Sequence, residues 1–258
     1  MRMLKLLFVA VGCVFFASCL EINEEVNINE NGSGQLSSSL DMSQLIDMMQ
    51  AMGGEEFEKK KDEKIDSVIY LKDIVDTAKN MTQEQKDLFR DGTIRVKMDM
   101  ANKEFKINMN HPFNNLEKLQ RLTSEMGKGG MGFGNAMKGA MGGGKDQATG
   151  EQAPSDGGEM DQLLGIFDYD IKKGQIKKTI NADRLKKLQE NPKMAEMKQG
   201  ADMGIEVLYS VTYKLPRAAK SVNNAKAKLS DDKKTVTLRS NLMEIFTKPE
   251  QFEYTIEY

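Results

Sequence analysis

Residues 19–40, CLEINEEVNINENGSGQLSSSL, carry the pattern that decides the fold. Apolar and polar residues alternate from Leu20 onward, which is typical of a strand with one buried face. The apolar phase contains Leu20, Ile22, Val26 and Ile28, and the polar phase contains Glu21, Asn23, Glu25, Asn27 and Asn29. Asn31-Gly32-Ser33-Gly34 suits a tight turn, after which Gln35 to Leu40 returns as a second strand. The stretch therefore predicts a β-hairpin.

Similar alternation recurs along the chain. It predicts a hairpin over Ile94–Met109 that turns at Asn102-Lys103, and another over Phe167–Ile180 that turns at Lys173-Gly174. The last quarter holds a long strand over 205–215 and further strands up to Tyr258, with a short helix near Leu242. We therefore expect an α+β fold, in which antiparallel hairpins and a C-terminal meander are backed by a few helices.

Helix starts are marked by capping residues. Asp41 precedes an apolar stripe that continues to Met52, and Asn181 precedes a lysine-rich helix. Thr82 with Gln85 and Asn114 with Glu117 have the spacing of capping boxes. Residues 67–71 fit a strand or a helix equally well.

A glycine-rich segment interrupts these elements. Ten glycines occur between Gly127 and Gly150, and no apolar period is present up to Gly158. This composition predicts a flexible Gly/Met-rich insertion over 127–158.

The first 18 residues, MRMLKLLFVAVGCVFFAS, have the layout of a secretory signal peptide. Their apolar run is too short to span a bilayer comfortably. Ala17-Ser18-Cys19 resembles the end of a bacterial lipobox, which is cleaved between Ser18 and Cys19. The cysteine would then carry diacylglycerol on its sulfur and an acyl chain, such as palmitate, on its amino group. A plain secretory signal and an uncleaved anchor are the alternatives.

Lipidation would also leave the mature chain without a free thiol. Cys13 is removed with the signal peptide and Cys19 is blocked, which excludes thiol catalysis and disulfides. We expect residues 19–258 to form a single α+β lipoprotein domain.

Several motifs suggest chemistry but fit it poorly. Asn27, Asn29, Asn31 and Gly32 match the start of a calcium loop, yet Ser38 stands where a bidentate glutamate is required. Gly127, Gly129 and Gly132 satisfy GxGxxG, and Gly139, Gly144 and Lys145 approach a phosphate loop. The first set follows a helix where a strand is needed, and Asp146 follows the second.

Methionine, histidine and aspartate provide the remaining candidates. An exported chain with 19 methionines could bind copper, and the relevant spacings are Met98/Met100, Met194/Met197 and Met131/Met137/Met141. Most of these residues lie on apolar stripes, where methionine simply fills a core. The single histidine, His111, ends a strand pattern and precedes Pro112, which is a typical strand-terminating position. Asp168 and Asp170 lie on a polar strand face. We therefore assign no chemistry to these three residues.

The overall charge gives little indication of a partner. The formal net charge is −2, and neither half of the chain is strongly basic. We therefore expect no nucleic-acid partner.

Both ends of the chain resemble a known group. CLEINEEVNINENGSGQLSSSLDMSQL and YKLPRAAKSVNNAKAKLSDDKKTVTLRSNLMEIFTKPEQFEYTIEY are similar to the ends of lipoproteins of unknown function in Bacteroidota. More remotely, they resemble the LppM-like envelope domain, an α+β fold with a hairpin near each end. The resemblance implies an envelope lipoprotein that contacts lipid or a neighbouring protein, and it transfers only Cys19 as a functional residue.

These observations predict a lipid-anchored protein of the bacterial cell envelope. We expect a non-catalytic binding or scaffolding role without a cofactor or metal, and the alternative is a carrier of a lipid or another small hydrophobic ligand. The residue after Cys19 is not the aspartate that retains lipoproteins in the inner membrane, so we expect the outer membrane.

Overall fold

The computed structural model of the chain describes residues 19–44, 46, 62–79, 81–126, 159–202 and 206–258. The predicted signal peptide, residues 1–18, and the predicted insertion, residues 127–158, lie outside this range. So does most of the stripe that ends at Met52, although Ser43, Gln44 and Ile46 are helical.

Twelve strands form two sheets in the described part of the chain. The strands are β1 (Cys19–Ile28), β2 (Gly34–Asp41), β3 (Lys64–Tyr70), β4 (Thr93–Asp99), β5 (Glu104–Phe113), β6 (Phe167–Lys172), β7 (Gln175–Ile180), β8 (Glu206–Lys214), β9 (Ser221–Val222), β10 (Ala227–Leu229), β11 (Thr235–Asn241) and β12 (Tyr254–Glu257). The described helices are α1 (Leu71–Val75), α2 (Gln83–Phe89), α3 (Leu116–Met126), α4 (Glu159–Leu164), α5 (Ala182–Glu190) and α6 (Pro192–Asp202). Two 3₁₀ turns cover Leu242–Phe246 and Pro249–Phe252. The expected α+β class is confirmed.

The larger sheet contains eight strands in the order β10-β11-β8-β1-β2-β5-β4-β3. The hairpins β1–β2 and β4–β5 are antiparallel, as the alternation predicts. The contact between β1 and β8 is parallel, and it joins the first described strand to the last quarter of the chain. Strand β1 consequently lies inside the sheet, with neighbours on both edges.

The smaller sheet has the order β6-β7-β12-β9 and is antiparallel throughout. Strands β8, β11 and β10 lie side by side and antiparallel in the larger sheet, with β11 between β8 and β10. The last strand, β12, pairs with β7 and β9 in the smaller sheet. The C-terminal strands are thus divided between the two sheets, where the sequence predicts one continuous meander. The two sheets contact each other through aromatic residues of β8, β6 and β12, and helix α3 packs along β6 and β5.

The predicted capping residues are confirmed for α2 and α5, and the capping residue of α3 lies one position later than predicted. Thr82 and Gln85 form the expected capping box, and the Asn181 side chain accepts from the Arg184 amide. At α3 the capping side chain belongs to Asn115, which accepts from the Lys118 amide at 2.8 Å, so the prediction of Asn114 is wrong by one residue. Residues 67–71, whose sequence fits a strand or a helix equally well, contribute to both: 67–70 complete β3 and Leu71 begins α1.

Candidate binding cleft and a buried lysine

A cleft lies at the end of β1 that is opposite to Cys19. Its volume is about 610 Å³, which is within the range of small-ligand pockets. Five separate segments contribute to it. They are the β1–β2 turn, the start of α3, the β6–β7 turn, the segment after β8 and Tyr258, and the lining residues are Ile28, Asn29, Glu30, Asn31, Gly32, Asn115, Leu116, Lys173, Pro216, Arg217 and Tyr258.

The β1–β2 turn forms one wall of the cleft and is held by its own polar groups. Gly32 has a φ of 82°, a conformation that L side chains rarely adopt. The Asn31 Oδ1 atom accepts from the Ser33 amide at 3.0 Å and from the Ser33 hydroxyl at 2.7 Å. The turn is therefore defined without a bound ligand.

The β6–β7 turn forms the facing wall. Gly174 has a φ of 85°, and its carbonyl accepts from the Tyr258 amide at 2.9 Å. This bond fixes the preceding residue, Lys173, beside the end of the described chain. On the side of α3, Leu116 adds an apolar surface next to the capping residue Asn115.

The lining of the cleft contains more positively charged than negatively charged side chains. Lys173 and Arg217 are exposed, and neither forms an ion pair with another described residue. Glu30 supplies the one acidic side chain among the lining residues. Among the charged side chains of the lining, the two cations thus outnumber the one acid, beside the apolar surfaces of Ile28, Leu116 and Pro216.

The predicted lipidation residue lies at the other end of the same strand. Cys19 is the first residue of β1 and pairs with Glu206 of β8. Strand β1 therefore begins at the cysteine, as the alternation from Leu20 predicts. A strand of ten residues spans roughly 30 Å, which is the approximate separation of Cys19 from the cleft. Ser18, on the other side of the predicted cleavage point, is outside the described residues.

A lysine is buried between the two sheets. Lys178 of β7 is 1% exposed, and its side chain points from the smaller sheet toward the larger one. Its Nζ atom lies 3.8 Å from the ring centroid of Phe167 and 4.8 Å from that of Tyr209. The rings of Tyr169 and Tyr254 are slightly farther away, at 5.6 and 5.8 Å. The ammonium group is thus surrounded by aromatic rings, which attract a cation through their quadrupoles.

Hydrogen bonds connect this lysine to the larger sheet. Lys178 Nζ donates to the Tyr209 hydroxyl at 3.2 Å, and that hydroxyl donates to Glu24 Oε2 at 2.8 Å. Burial lowers the pKa of Lys178 to about 8, and the carboxylate of Glu24 opposes part of that decrease. The group is therefore mostly protonated at neutral pH, despite its position in the core.

The space next to Lys178 is too small for an organic ligand. A gap of about 10 Å³ separates Lys178, Tyr209 and Gln251, which is close to the room needed by one water molecule. Nearby, the Tyr213 and Tyr254 hydroxyls are hydrogen-bonded at 2.7 Å across the two sheets. We therefore interpret the buried lysine as a structural connection between the sheets and not as a reacting group.

His111 is also buried, and its ring lies among apolar and backbone groups without a polar partner in the described residues. It is 1% exposed, and neither ring nitrogen has a hydrogen-bond partner in the described part of the chain. Its ring packs edge-on against Phe89, with 5.7 Å between the centroids. Burial, assisted by the charge of Lys118, lowers the pKa of His111 to about 4. The residue is inside β5, which continues to Phe113, and not at the end of the strand as the sequence suggests.

The other candidate residues have local structural partners. Asn27 is exposed on β1, while Ser38 faces the core on β2, so the calcium-loop positions are not brought together. Asp168 pairs with Arg184 of α5, and Asp170 pairs with Lys172.

The candidate copper ligands within the described residues belong to the core or its margin. Met100 and Met194 are buried, and Met98 and Met197 pack against the core. Met131, Met137 and Met141 lie outside the described residues, together with the glycine motifs. Over the residues that the structure covers, no group of three or more His, Cys, Asp or Glu side chains is arranged to hold a metal ion.

The sequence also indicates the polar contacts around Lys178, because two charged residues occupy the apolar phase of their strands. Glu24 falls in the same phase as Ile22 and Val26, and Lys178 falls in the same phase as Ile176 and Ile180. A charged residue in the apolar phase of a strand predicts an internal partner, because an unpaired buried charge is strongly unfavourable. The cleft has no comparable signal, since its walls come from distant segments.

Comparison with known proteins gives no relative: no protein-family model, no curated protein and no solved structure matches the chain. Among the helices of the described ranges, none is long and apolar enough to cross a membrane.

Proposed function

We propose that the chain is a lipid-anchored, non-catalytic protein of the bacterial cell envelope that presents a binding site on the side away from its membrane. The observation that carries this proposal is the position of β1, which has Cys19 at its first residue and the cleft at its other end. A lipid on Cys19 would hold the domain against the bilayer without an intervening tether. The cleft would then face away from the lipid surface by roughly 30 Å.

The two acyl chains of a diacylglycerol on the Cys19 sulfur, and a third on its amino group, would make this attachment durable. Each buried CH₂ group contributes about 0.8 kcal/mol, and a single chain gives only marginal binding. The third chain adds to an attachment that two chains already make stable. We expect the outer membrane as the location, because Leu20 follows the cysteine.

The packing between the sheets supports binding at the surface in preference to carriage of a lipid. The region that a carrier would need to open is filled by Lys178 and by the rings of Phe167, Tyr209, Tyr213 and Tyr254. A non-catalytic role is supported by the burial of His111, whose ring nitrogens have no hydrogen-bond partner among the described residues.

Substitution of the cysteine tests the anchor. We expect the wild-type protein to fractionate with membranes and to show a mass increase equal to the lipid, and Cys19→Ala to lose both. Cys13→Ala is the matched control, because this cysteine lies in the predicted signal peptide and its variant should be lipidated normally. Unchanged membrane fractionation of Cys19→Ala, together with a wild-type mass free of lipid, would reject the proposal.

The carrier alternative has a separate test. The protein is purified from membranes in detergent, extracted with organic solvent and examined by mass spectrometry. Stoichiometric lipid beyond that attached to Cys19 would favour carriage, whereas the filled core leads us to expect none.

A further inference from the structure

We propose that the free edge of β3 is a dimer interface, at which β3 of one copy of the chain pairs antiparallel with β3 of a second copy. Strand β3 (Lys64–Tyr70) is the last strand of the larger sheet and has a neighbour, β4, on one side only. This edge is separate from the cleft and from Cys19, so the inference goes beyond the proposed function.

The other sheet edges in the described part of the chain are short or covered. Strand β10 has three residues and β9 has two. At the edge of β6, the Ile171 amide donates to the Gln120 side chain of α3 at 2.9 Å. Strand β3 is instead seven residues long, pairs with β4 without a bulge and contains no proline. An edge of this kind is able to accept a further strand.

The ladder between β3 and β4 shows which backbone groups of β3 face outward. Directly after the strand, and in the same register, the Leu71 amide donates to the Gly92 carbonyl at 3.0 Å. Residues bonded in this way alternate with residues whose N–H and C=O groups point away from the partner strand. The backbone groups of Lys64, Asp66 and Val68 therefore face the open edge, and they have no hydrogen-bond partner among the described residues.

Exposed apolar side chains accompany this edge. Val68 is 48% exposed, Tyr70 is 54% exposed, and Ile74 of the adjoining helix α1 is 40% exposed. Among the described residues, Leu229 is the one other large apolar side chain with comparable exposure. The apolar surface that a partner could cover is thus concentrated at the edge of β3.

The strand is complementary to a second copy of itself. Outward-facing backbone groups bond only to outward-facing groups, so a two-fold pairing has to be centred on one residue of β3. Centring on Ser67 uses the whole strand. Asp66 then exchanges both backbone hydrogen bonds with Val68 of the second copy, and Ile65 lies opposite Ile69 of the second copy. Such pairs of β-branched residues stabilise a sheet.

The charges of the edge agree with this register. Asp66 is paired with Arg95 at 2.9 Å and Lys64 with Asp99 at 3.0 Å, so each is balanced within its own copy. Centring on Ser67 places Lys64 opposite Tyr70 of the second copy and leaves no like charges opposite each other. Centring on Asp66 would bring two carboxylates together, which is unfavourable.

The two-fold axis is compatible with attachment of both copies to one membrane. The axis is perpendicular to the sheet at Ser67, and it preserves the direction of any strand that runs parallel to it. Neighbouring strands twist by about 20–25° on average, so the four steps from β3 to β1 rotate the strand direction by about 80–100°. Strand β1 then runs close to the axis, and the Cys19 residues of both copies lie on the same side.

Cysteine cross-linking of the purified full-length protein in detergent tests the register. In a non-hydrogen-bonded antiparallel pair the Cα atoms are about 4.5 Å apart, so Ser67→Cys should give a reducible covalent dimer after mild oxidation. Val68→Cys is the matched control, because the two Val68 Cα atoms would be about 8 Å apart, which is too far for a disulfide. The wild type measures any background from the native cysteines.

Sedimentation velocity over a range of protein concentrations tests the interface without a cross-link. Ser67→Glu places two carboxylates opposite each other, and Ser67 is exposed, so the single copy should fold normally. We expect this variant to raise the dissociation constant of the dimer at least tenfold, and Ser67→Thr to stay within twofold of the wild type. Val68→Pro removes an outward N–H group that the single copy does not use, and it should also weaken the dimer at least tenfold.

Three results would overturn the inference. They are the absence of a Ser67→Cys dimer, equal cross-linking of Val68→Cys, and a wild-type dimer that Ser67→Glu leaves intact. A selective Ser67→Cys dimer with a wild type that sediments as a monomer would support a weak contact, as expected for an interface of one strand. None of these measurements depends on the lipid, so failure here leaves the proposed anchor unaffected.

Discussion

Replacement of Lys178 by methionine should change how the stability of the protein depends on pH. Methionine has a similar length and no charge, so the variant keeps most of the volume between the sheets. In the wild type, the pKa is 10.5 in the unfolded chain and about 8 in the folded protein. Between these values the unfolded state binds more protons, so the free energy of unfolding rises with pH.

The expected change in the free energy of unfolding follows from the difference between the two pKa values of Lys178. Below pH 8 the folded protein holds a protonated lysine in the core, at a cost of about 3 kcal/mol relative to high pH. From about pH 7 to about pH 9.5, linkage gives a gain of about 2 kcal/mol for the wild type. Above pH 10 the buried tyrosines oppose this gain, because burial raises the pKa values of Tyr209 and Tyr254 and the unfolded chain ionises first.

Urea denaturation at several pH values measures the effect. We expect a rising curve for the wild type and a nearly flat one for Lys178→Met. Lys177→Met is the matched control, since Lys177 is the exposed neighbour on the same strand and its variant should follow the wild type. Parallel curves for the wild type and Lys178→Met between pH 7 and 9.5 would refute the reasoning, because the buried ammonium would then not release its proton in that range.

Three further changes probe other parts of the fold. His111→Leu should make the stability less sensitive to acid. The pKa of His111 falls from 6.5 to about 4 on folding, so the free energy of unfolding of the wild type should decrease by about 2 kcal/mol between pH 6.5 and 4.5. In urea titrations the variant should not show this decrease. Gly34→Ala should cost about 3 kcal/mol in chemical denaturation, because an added Cβ overlaps the carbonyl oxygen of Asn27 and the ring of Phe113. Thr82→Ala should cost about 1 kcal/mol in thermal denaturation, because it removes the capping box of α2.

Each of these changes has its own control. A variant at His111 that loses stability in acid as steeply as the wild type would show that another group is responsible. Gly32→Ala adds a Cβ at an ordinary 3.6 Å from Leu116 and should cost only about 1 kcal/mol for its positive φ, less than Gly34→Ala. Thr82→Ser retains the capping hydroxyl and should behave as the wild type, so equal losses for Ser and Ala would exclude the cap as the cause.

Local patterns account for much of the fold. The alternation around Asn102-Lys103 predicts the β4–β5 hairpin, and the capping pair Thr82 and Gln85 predicts the start of α2. These features depend on residues close together in the chain, where the period of a strand or the chemistry of a cap is visible.

Pairings between distant segments could not be predicted in the same way. The alternation of β1 identifies its buried face, but it does not indicate that β8 is its parallel neighbour. The same limitation applies to the cleft, where Lys173 and Arg217 are brought together by three-dimensional packing. Glu24 and Lys178 are intermediate cases, because their phase indicates that both side chains point toward the core, while the fold supplies their partners.

The interior position of β1 also determines the order in which the larger sheet can be completed. Strand β2 follows β1 directly, so one edge of β1 can pair as soon as the first hairpin forms. The other edge has no partner until Glu206–Lys214 has been synthesised. Closing such a long loop is slow, and an unpaired strand edge can meanwhile associate with other chains. The first of the described strands is therefore among the last of them to be fully paired, and we expect its open edge to be exposed to other chains until β8 has been synthesised.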